Sequence, residues 1–137
     1  MIDDETTILA IVDRFFGAFA SGPGLDERMA ELRSLFLPGA VVVRTCGDLA
    51  VYDVDGFVEP RHELLADGSF EDFAEWPVAG TVTVYGDVAH WWGDYAKGGR
   101  RDGAPFEGRG VKSIQLVRTD AGWRISAAAW DDERPHP

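Results

Sequence analysis

The hydrophobic period of this chain shifts from mainly helical to two near residue 70, and that change confines it to one class of fold. Before it, apolar residues recur at helical spacing. Ile8, Val12, Phe15 and Phe19 form a stripe over residues 4–20, widened by Ile11 and Phe16. Asp3, Asp4 and Glu5 stand where the helix dipole favours negative charge, and Ser21-Gly22-Pro23-Gly24 ends the segment. Leu25, Met29, Leu32 and Phe36 mark a second helix over 25–36, stopped by Pro38-Gly39, and Ala40 to Thr45 is a short β-branched strand. Residues 55–66 read as a third helix with Asp55 as N-cap, and Pro60 predicts a kink or a division in it. Beyond residue 70 the period is two. Val82 and Val84 alternate with Thr81 and Thr83, Gly86-Asp87 suits a type II′ hairpin turn, and 88–96 is the returning strand. The polar run 97–105 reads as a loop and 106–118 as a strand. Thr119-Asp120-Ala121-Gly122 then turns into a last strand from Trp123 to about Asp131. Three helices segregated onto one face of an antiparallel meander make an α+β fold. The length suits one domain over 1–137, with an ordered core at about 5–131 and a tail at 132–137.

Charge excludes several partners. The net charge of −11 repels a phosphate backbone and no basic stripe offsets it, so neither nucleic acid nor an anionic membrane is expected. No apolar run reaches the roughly 20 residues of a membrane span. Cys46 is the only cysteine, which leaves no intrachain disulfide and fits a reducing compartment. The start Met1-Ile2-Asp3-Asp4-Glu5 is acidic where a signal peptide is basic, so the expected location is cytoplasmic. Three scattered histidines and one cysteine show no metal spacing, and there is no glycine-rich phosphate loop, so no metal or cofactor is expected.

The order of elements, together with Phe15-Phe16-Gly17-Ala18-Phe19, Leu35-Phe36, Tyr85-Gly86-Asp87-Val88-Ala89 and Gly122-Trp123-Arg124-Ile125, resembles the nuclear-transport-factor-2-like superfamily. Within it the chain looks most like the SnoaL-like bacterial proteins, over about residues 5–131. The resemblance implies a cystatin-like cone, a strongly curved sheet wrapped on three helices with a cavity at its open end. It also implies homodimers through the outer sheet face. The family hosts isomerases, cyclases, dehydratases and non-catalytic modules, so the fold does not settle the activity. Ketosteroid isomerase chemistry needs an aspartate base with a tyrosine and a protonated aspartic acid as donors. Those positions align here with Arg44, Phe15 and Gln115, which does not support that reaction.

Alternation supplies the candidate site. A three-residue loop at 120–122 places Val117, Gln115, Ser113 and Val111 on one face with Ile125, Ala127, Ala129 and Asp131. Ser113 and Gln115 beside Ala127 and Ala129 fit a pocket wall, or a pair of polar groups satisfying each other beside a packed core. Trp91 and Tyr95 share the more apolar face of strand 88–96 and are placed toward the cavity with Phe15. His90 and Asp94 then form a surface pair, unless a register slip turns them inward as an acid–base pair. Arg44 either binds a ligand carboxylate or pairs with Asp131 or Asp13. Asp131 is the carboxylate expected to do chemistry, if any is done. Trp92, Ile114, Leu116, Ala128 and Trp130 are assigned to an outer dimerising face. The expected function is binding of a small apolar or weakly acidic molecule; whether it is also an enzyme is left open, and any catalysis is cofactor-free acid–base work of the isomerase, cyclase or dehydratase kind. A non-catalytic dimeric binding or assembly module is the alternative.

Overall fold

The structure is a computed structural model that describes residues 3–134. Helix α1 (Asp4–Gly17) is capped by Asp3, whose carboxylate accepts from the Thr6 amide, and buries Ile8, Ile11, Val12, Phe15 and Phe16. Helix α2 (Leu25–Ser34) begins after Gly24, which holds a left-handed conformation with φ of 85°. It is shorter than its stripe, because Phe36 already belongs to strand β1 (Phe36–Arg44). Strand β2 (Ala50–Tyr52) pairs with β1 and carries no periodicity long enough to read. Helix α3 (Val54–Ala66) is capped by Asp53 rather than Asp55 and runs unbroken through Pro60. Its burial of Phe57, Val58 and Leu65 outweighs the backbone bond that proline removes.

Four long strands follow: β3 (Phe70–Tyr85), β4 (Val88–Arg101), β5 (Ala104–Thr119) and β6 (Gly122–Asp132). Residues 97–105 are not a loop. Strands β4 and β5 continue to a two-residue turn at Asp102-Gly103, both with positive φ, as a type I′ hairpin requires. The sheet order is β2-β1-β6-β5-β4-β3. The β1–β6 pair is parallel and every other pair antiparallel, so the sheet is mixed. This is an α+β cone of three helices against a six-stranded curved sheet.

Strand β4 faces as expected, with Ala89, Trp91 and Tyr95 buried under the helices. Strands β5 and β6 face the other way from expectation. Ile114, Leu116, Ile125, Ala128 and Trp130 are buried, together with Lys112, while Ser113, Gln115, Ala127, Ala129 and Asp131 occupy the outer side. Trp91 lies directly opposite Ile114, and residues opposite each other must share a face. The turn into β6 is also one residue tighter than expected, with Thr119 opposite Gly122. A bulge at Ser126 absorbs the difference and brings Ile125 beside Leu116. Of the five residues assigned to the outer dimerising face, only Trp92 is exposed.

Candidate functional site

The open end of the cone encloses a cavity of about 540 Å³. Helix α3 contributes Phe57, Arg61 and Leu65, and the end of the α1 segment adds Phe19. The sheet contributes Phe73 and Glu75 from β3, Tyr95, Lys97 and Arg101 from β4, Phe106 and Lys112 from β5, and Trp130 from β6. The wall is mostly aromatic, but its charge departs from that of the chain. Arg61, Lys97, Arg101 and Lys112 face Glu75 and Asp102, four cations to two anions, in a protein whose net charge is −11.

Lys112 is 4% exposed. Its ammonium lies 4.2 Å from the centre of the Tyr95 ring and 4.5 Å from that of Trp130, with Phe16 and Phe15 at 5.7 and 5.8 Å. Glu75 Oε1, at 3.9 Å, is the one carboxylate oxygen within ion-pair distance among the described residues. Burial among these rings pulls the amine from its ordinary 10.5 down to about 8, against the opposing pull of Glu75 and Asp132. Near neutral pH this group can hold a proton or release it.

Asp132 anchors the neighbouring wall. It accepts a hydrogen bond from the Tyr95 hydroxyl, and Lys97 Nζ lies 3.1 Å from its other oxygen. Burial opposes its ionisation, yet the bonds from Tyr95 and Lys97 prevail and hold its carboxyl below the usual range. Burial, followed by the bond to Asp132, pushes the Tyr95 phenol far above its usual value and keeps it neutral. The Arg61 guanidinium lies 4.2 Å from the Phe57 ring centre and donates to the Phe57 carbonyl at 3.0 Å; burial lowers its pKa.

Of the residues expected at the site, Tyr95 lines this cavity, and Phe15 and Trp91 pack in the core behind it. Arg44 is half-buried and donates to the Asp48 carbonyl at 3.2 Å, with no carboxylate within 4 Å among the described residues. Ser113, Ala129 and Asp131 instead line a second hollow of about 690 Å³ with Trp92 and Asp94, which shares Tyr95 and Trp130 with the cavity. Gln115 and Ala127 lie on the same outer face. Phe15, Arg44 and Gln115 therefore do not converge. His90 bonds to Ser113 at 2.8 Å rather than to Asp94, and His62 to Asp26 at 2.7 Å. His136 lies outside the described residues. Lys112, Glu75 and Arg61 were not singled out by the sequence reading. The one available signal was a lysine in register with Ile114 and Leu116, an apolar face that has no need of a charge.

Among the described residues no helix is long and apolar enough to cross a membrane, and no three His, Cys, Asp or Glu side chains gather as a metal site would need. No protein-family model and no curated protein matches the chain. Solved structures do. A nuclear transport factor 2-like superfamily protein from Salmonella enterica superposes with a TM-score of 0.76 at 17% identity, covering 96% of this chain and 92% of that one. A nuclear transport factor 2-like protein with a cystatin-like fold from Novosphingobium aromaticivorans gives 0.74 at 20% identity, over 97% and 84%. A second Novosphingobium aromaticivorans protein, provisionally described as an aromatic ring hydroxylase, gives 0.71 at 23% identity, over 93% and 89%. At these identities the likeness is one of architecture, and this chain has the nuclear transport factor 2-like, cystatin-like fold.

Proposed function

We propose that this protein, a SnoaL-like representative of that fold, binds a small, largely apolar molecule bearing an acidic group in the cone cavity. The carrying observation is the excess of cations on an aromatic wall inside an acidic chain. An apolar ligand alone needs no such charge, and a buried ammonium with one carboxylate 3.9 Å away gains from a second anion. Aromatic rings on the wall suit a flat ligand, and the neighbour described as an aromatic ring hydroxylase supports an aromatic one. Any catalysis here is cofactor-free acid–base work. Lys112 is the group poised to exchange a proton near neutral pH, with Glu75 beside it.

Titration with benzoate, followed by tryptophan fluorescence through Trp130, tests the reading. Saturable quenching by benzoate, much weaker with benzamide and lost in Lys112→Met, is the expected result. Equal response to benzamide would remove the role of charge. The alternative of a non-catalytic dimeric module draws on a different observation: Val41, Val51, Tyr85, Val88 and Trp92 remain exposed on the outer sheet face. A second copy of the chain seated on that face is compatible with either role for the cone.

A further inference from the structure

The whole chain contains two lysines, Lys97 and Lys112, and both line the cone cavity. Every other basic side chain that carries a permanent charge is an arginine, which cannot serve as an amine nucleophile. The two lysines are held differently. Lys97 donates to Asp132 at 3.1 Å. Lys112 is packed among the rings of Phe15, Phe16, Tyr95 and Trp130, with Glu75 as its single carboxylate within 4 Å among the described residues and with Lys97 and Arg61 adding positive field. Desolvation and a neighbouring cation are the two devices that free a lysine amine for attack on a carbonyl.

We propose that Lys112 forms an imine with the carbonyl carbon of an apolar aldehyde or oxo acid bound in the cone, with Glu75 relaying the protons. This rests on the reading of the cavity as a small-molecule site. The neutral Nζ donates its electron pair to the carbonyl carbon, and the carbonyl π pair moves to oxygen, which takes the first of the nitrogen's two protons. Glu75 removes a proton from the nitrogen and returns it to the new hydroxyl. That hydroxyl leaves as water while the nitrogen pair forms the C=N bond. Amine and carbonyl go in, imine and water come out, and no oxidant or reductant is needed. Burial that brings the amine to about 8 leaves a usable neutral fraction at physiological pH. Arg61 and Arg101 line the same cavity and supply the charge to hold the carboxylate of an oxo acid.

The test treats the intact chain with benzaldehyde and sodium cyanoborohydride at pH 7.5–8, roughly the amine's own pKa, and maps the benzylated peptides. One benzyl group on Lys112, at roughly tenfold or more over Lys97 and the α-amine, is the expected result. Lys112→Met should abolish that adduct and leave the slow background. Equal labelling of the two lysines, or labelling of Lys97 and the α-amine alone, would overturn the proposal, and this ratio decides it in the wild-type chain even if the variant fails to fold. Saturable benzoate binding without a Lys112 adduct would refute the imine and leave the cavity reading standing. An adduct at Lys112 without benzoate binding would support the imine and refute the acidic ligand. Neither result would refute both.

Discussion

Lys112 and Glu75 meet inside the cone, on β5 and β3, with 3.9 Å between Nζ and Oε1 and the Tyr95 and Trp130 rings flanking the ammonium. The pair is weak as an ion pair, and the surroundings cost the ammonium more hydration than one carboxylate returns. That imbalance shows in stability against pH. The folded pKa lies below the unfolded value of 10.5, so between about 8 and 10.5 the unfolded chain binds a proton that the folded chain does not. Stability contributed by this group therefore rises with pH across that window. The full difference corresponds to about 3 kcal/mol. Urea unfolding of the wild type and of Lys112→Met from pH 7 to 10 should show the wild type gaining on the variant as pH rises. Parallel curves would refute it. Tyr95, whose phenol stays neutral in the fold, opposes the gain only above about pH 10.

Removing the Glu75 charge should move the same window. Glu75 and Asp132 raise the Lys112 pKa, whereas burial, Lys97 and Arg61 lower it. Glu75→Gln takes away the first-named support, so the rise in stability should begin below pH 8. The benzylation rate of Lys112 at pH 7 should increase if the amine fraction alone controls it, and fall if Glu75 relays protons. A variant in which neither the onset nor the rate changes would remove Glu75 from the site.

The Tyr95 hydroxyl donates to Asp132 and, together with Lys97, holds its carboxyl below the usual range. Tyr95→Phe deletes that bond to a charged acceptor and should cost about 1.5–3 kcal/mol at pH 7. The Asp132 carboxyl is depressed in the fold, so its contribution exists above the unfolded pKa and is lost as pH falls through the folded one. In Tyr95→Phe the acid-side loss should therefore begin at higher pH. Unchanged acid unfolding would show that Lys97 alone holds Asp132.

The helices, the middle of each long strand and the inward set of β4 were legible because each rests on local periodicity or on a turn. Ala89, Trp91 and Tyr95 alternate with the less apolar set His90, Trp92 and Asp94, and no long-range pairing is needed to assign them a side. The face of β5 and β6 was not legible by the same route. Lys112 and Arg118 made the buried side look wet, and Ser113, Gln115 and the two alanines made the outer side look like a roomy pocket. Only the β4–β5 register, Trp91 opposite Ile114, decides between them, and register across a hairpin depends on where the turn falls. The polar run 97–105 hid that turn, since its Asp-Gly pair sits among Gly98, Gly99 and charged residues. Lys112 was missed for the same reason: its burial is a tertiary fact, produced by aromatic rings from α1, β4 and β6.

Gly80 is where the curvature of the sheet meets the core. A Cβ at this position would stand 2.4 Å from Trp91 Cε2 and 2.5 Å from its Nε1, on the paired strand β4. Trp91 is fully buried against Phe16, with ring centres 5.6 Å apart, and has no free end to move. Gly80→Ala should therefore cost about 1–3 kcal/mol through displacement of the ring. Gly17→Ala, where nothing lies within 4 Å, serves as the control and should be neutral or slightly stabilising. Equal melting temperatures for the two variants would contradict this account.

The last prediction concerns assembly. The residues expected to form a dimer face are mostly buried inside, but the outer side is not polar. Trp92 is 55% exposed on β4, Val88 and Tyr85 extend the patch toward the β3–β4 turn, and Val41 and Val51 form a second patch on β1 and β2. Apolar surface at both ends of one curved sheet is what a second copy related by a twofold axis can cover, each copy's β3–β4 edge lying over the other's β1–β2 edge. A chain of net charge −11 opposes its own association through long-range repulsion, so the contact must be apolar, and dimerisation should strengthen with salt. Light scattering at micromolar concentration should give twice the chain mass. Trp92→Glu should convert it to a monomer without changing the fold, because the indole touches no buried helix residue and its nearest aromatic contact is His90, 6.4 Å away on the same face. Ala127→Leu, on the same outer side, should alter association rather than the filling of the cone. A monomeric wild type, or a dimer indifferent to Trp92→Glu, would place any interface elsewhere.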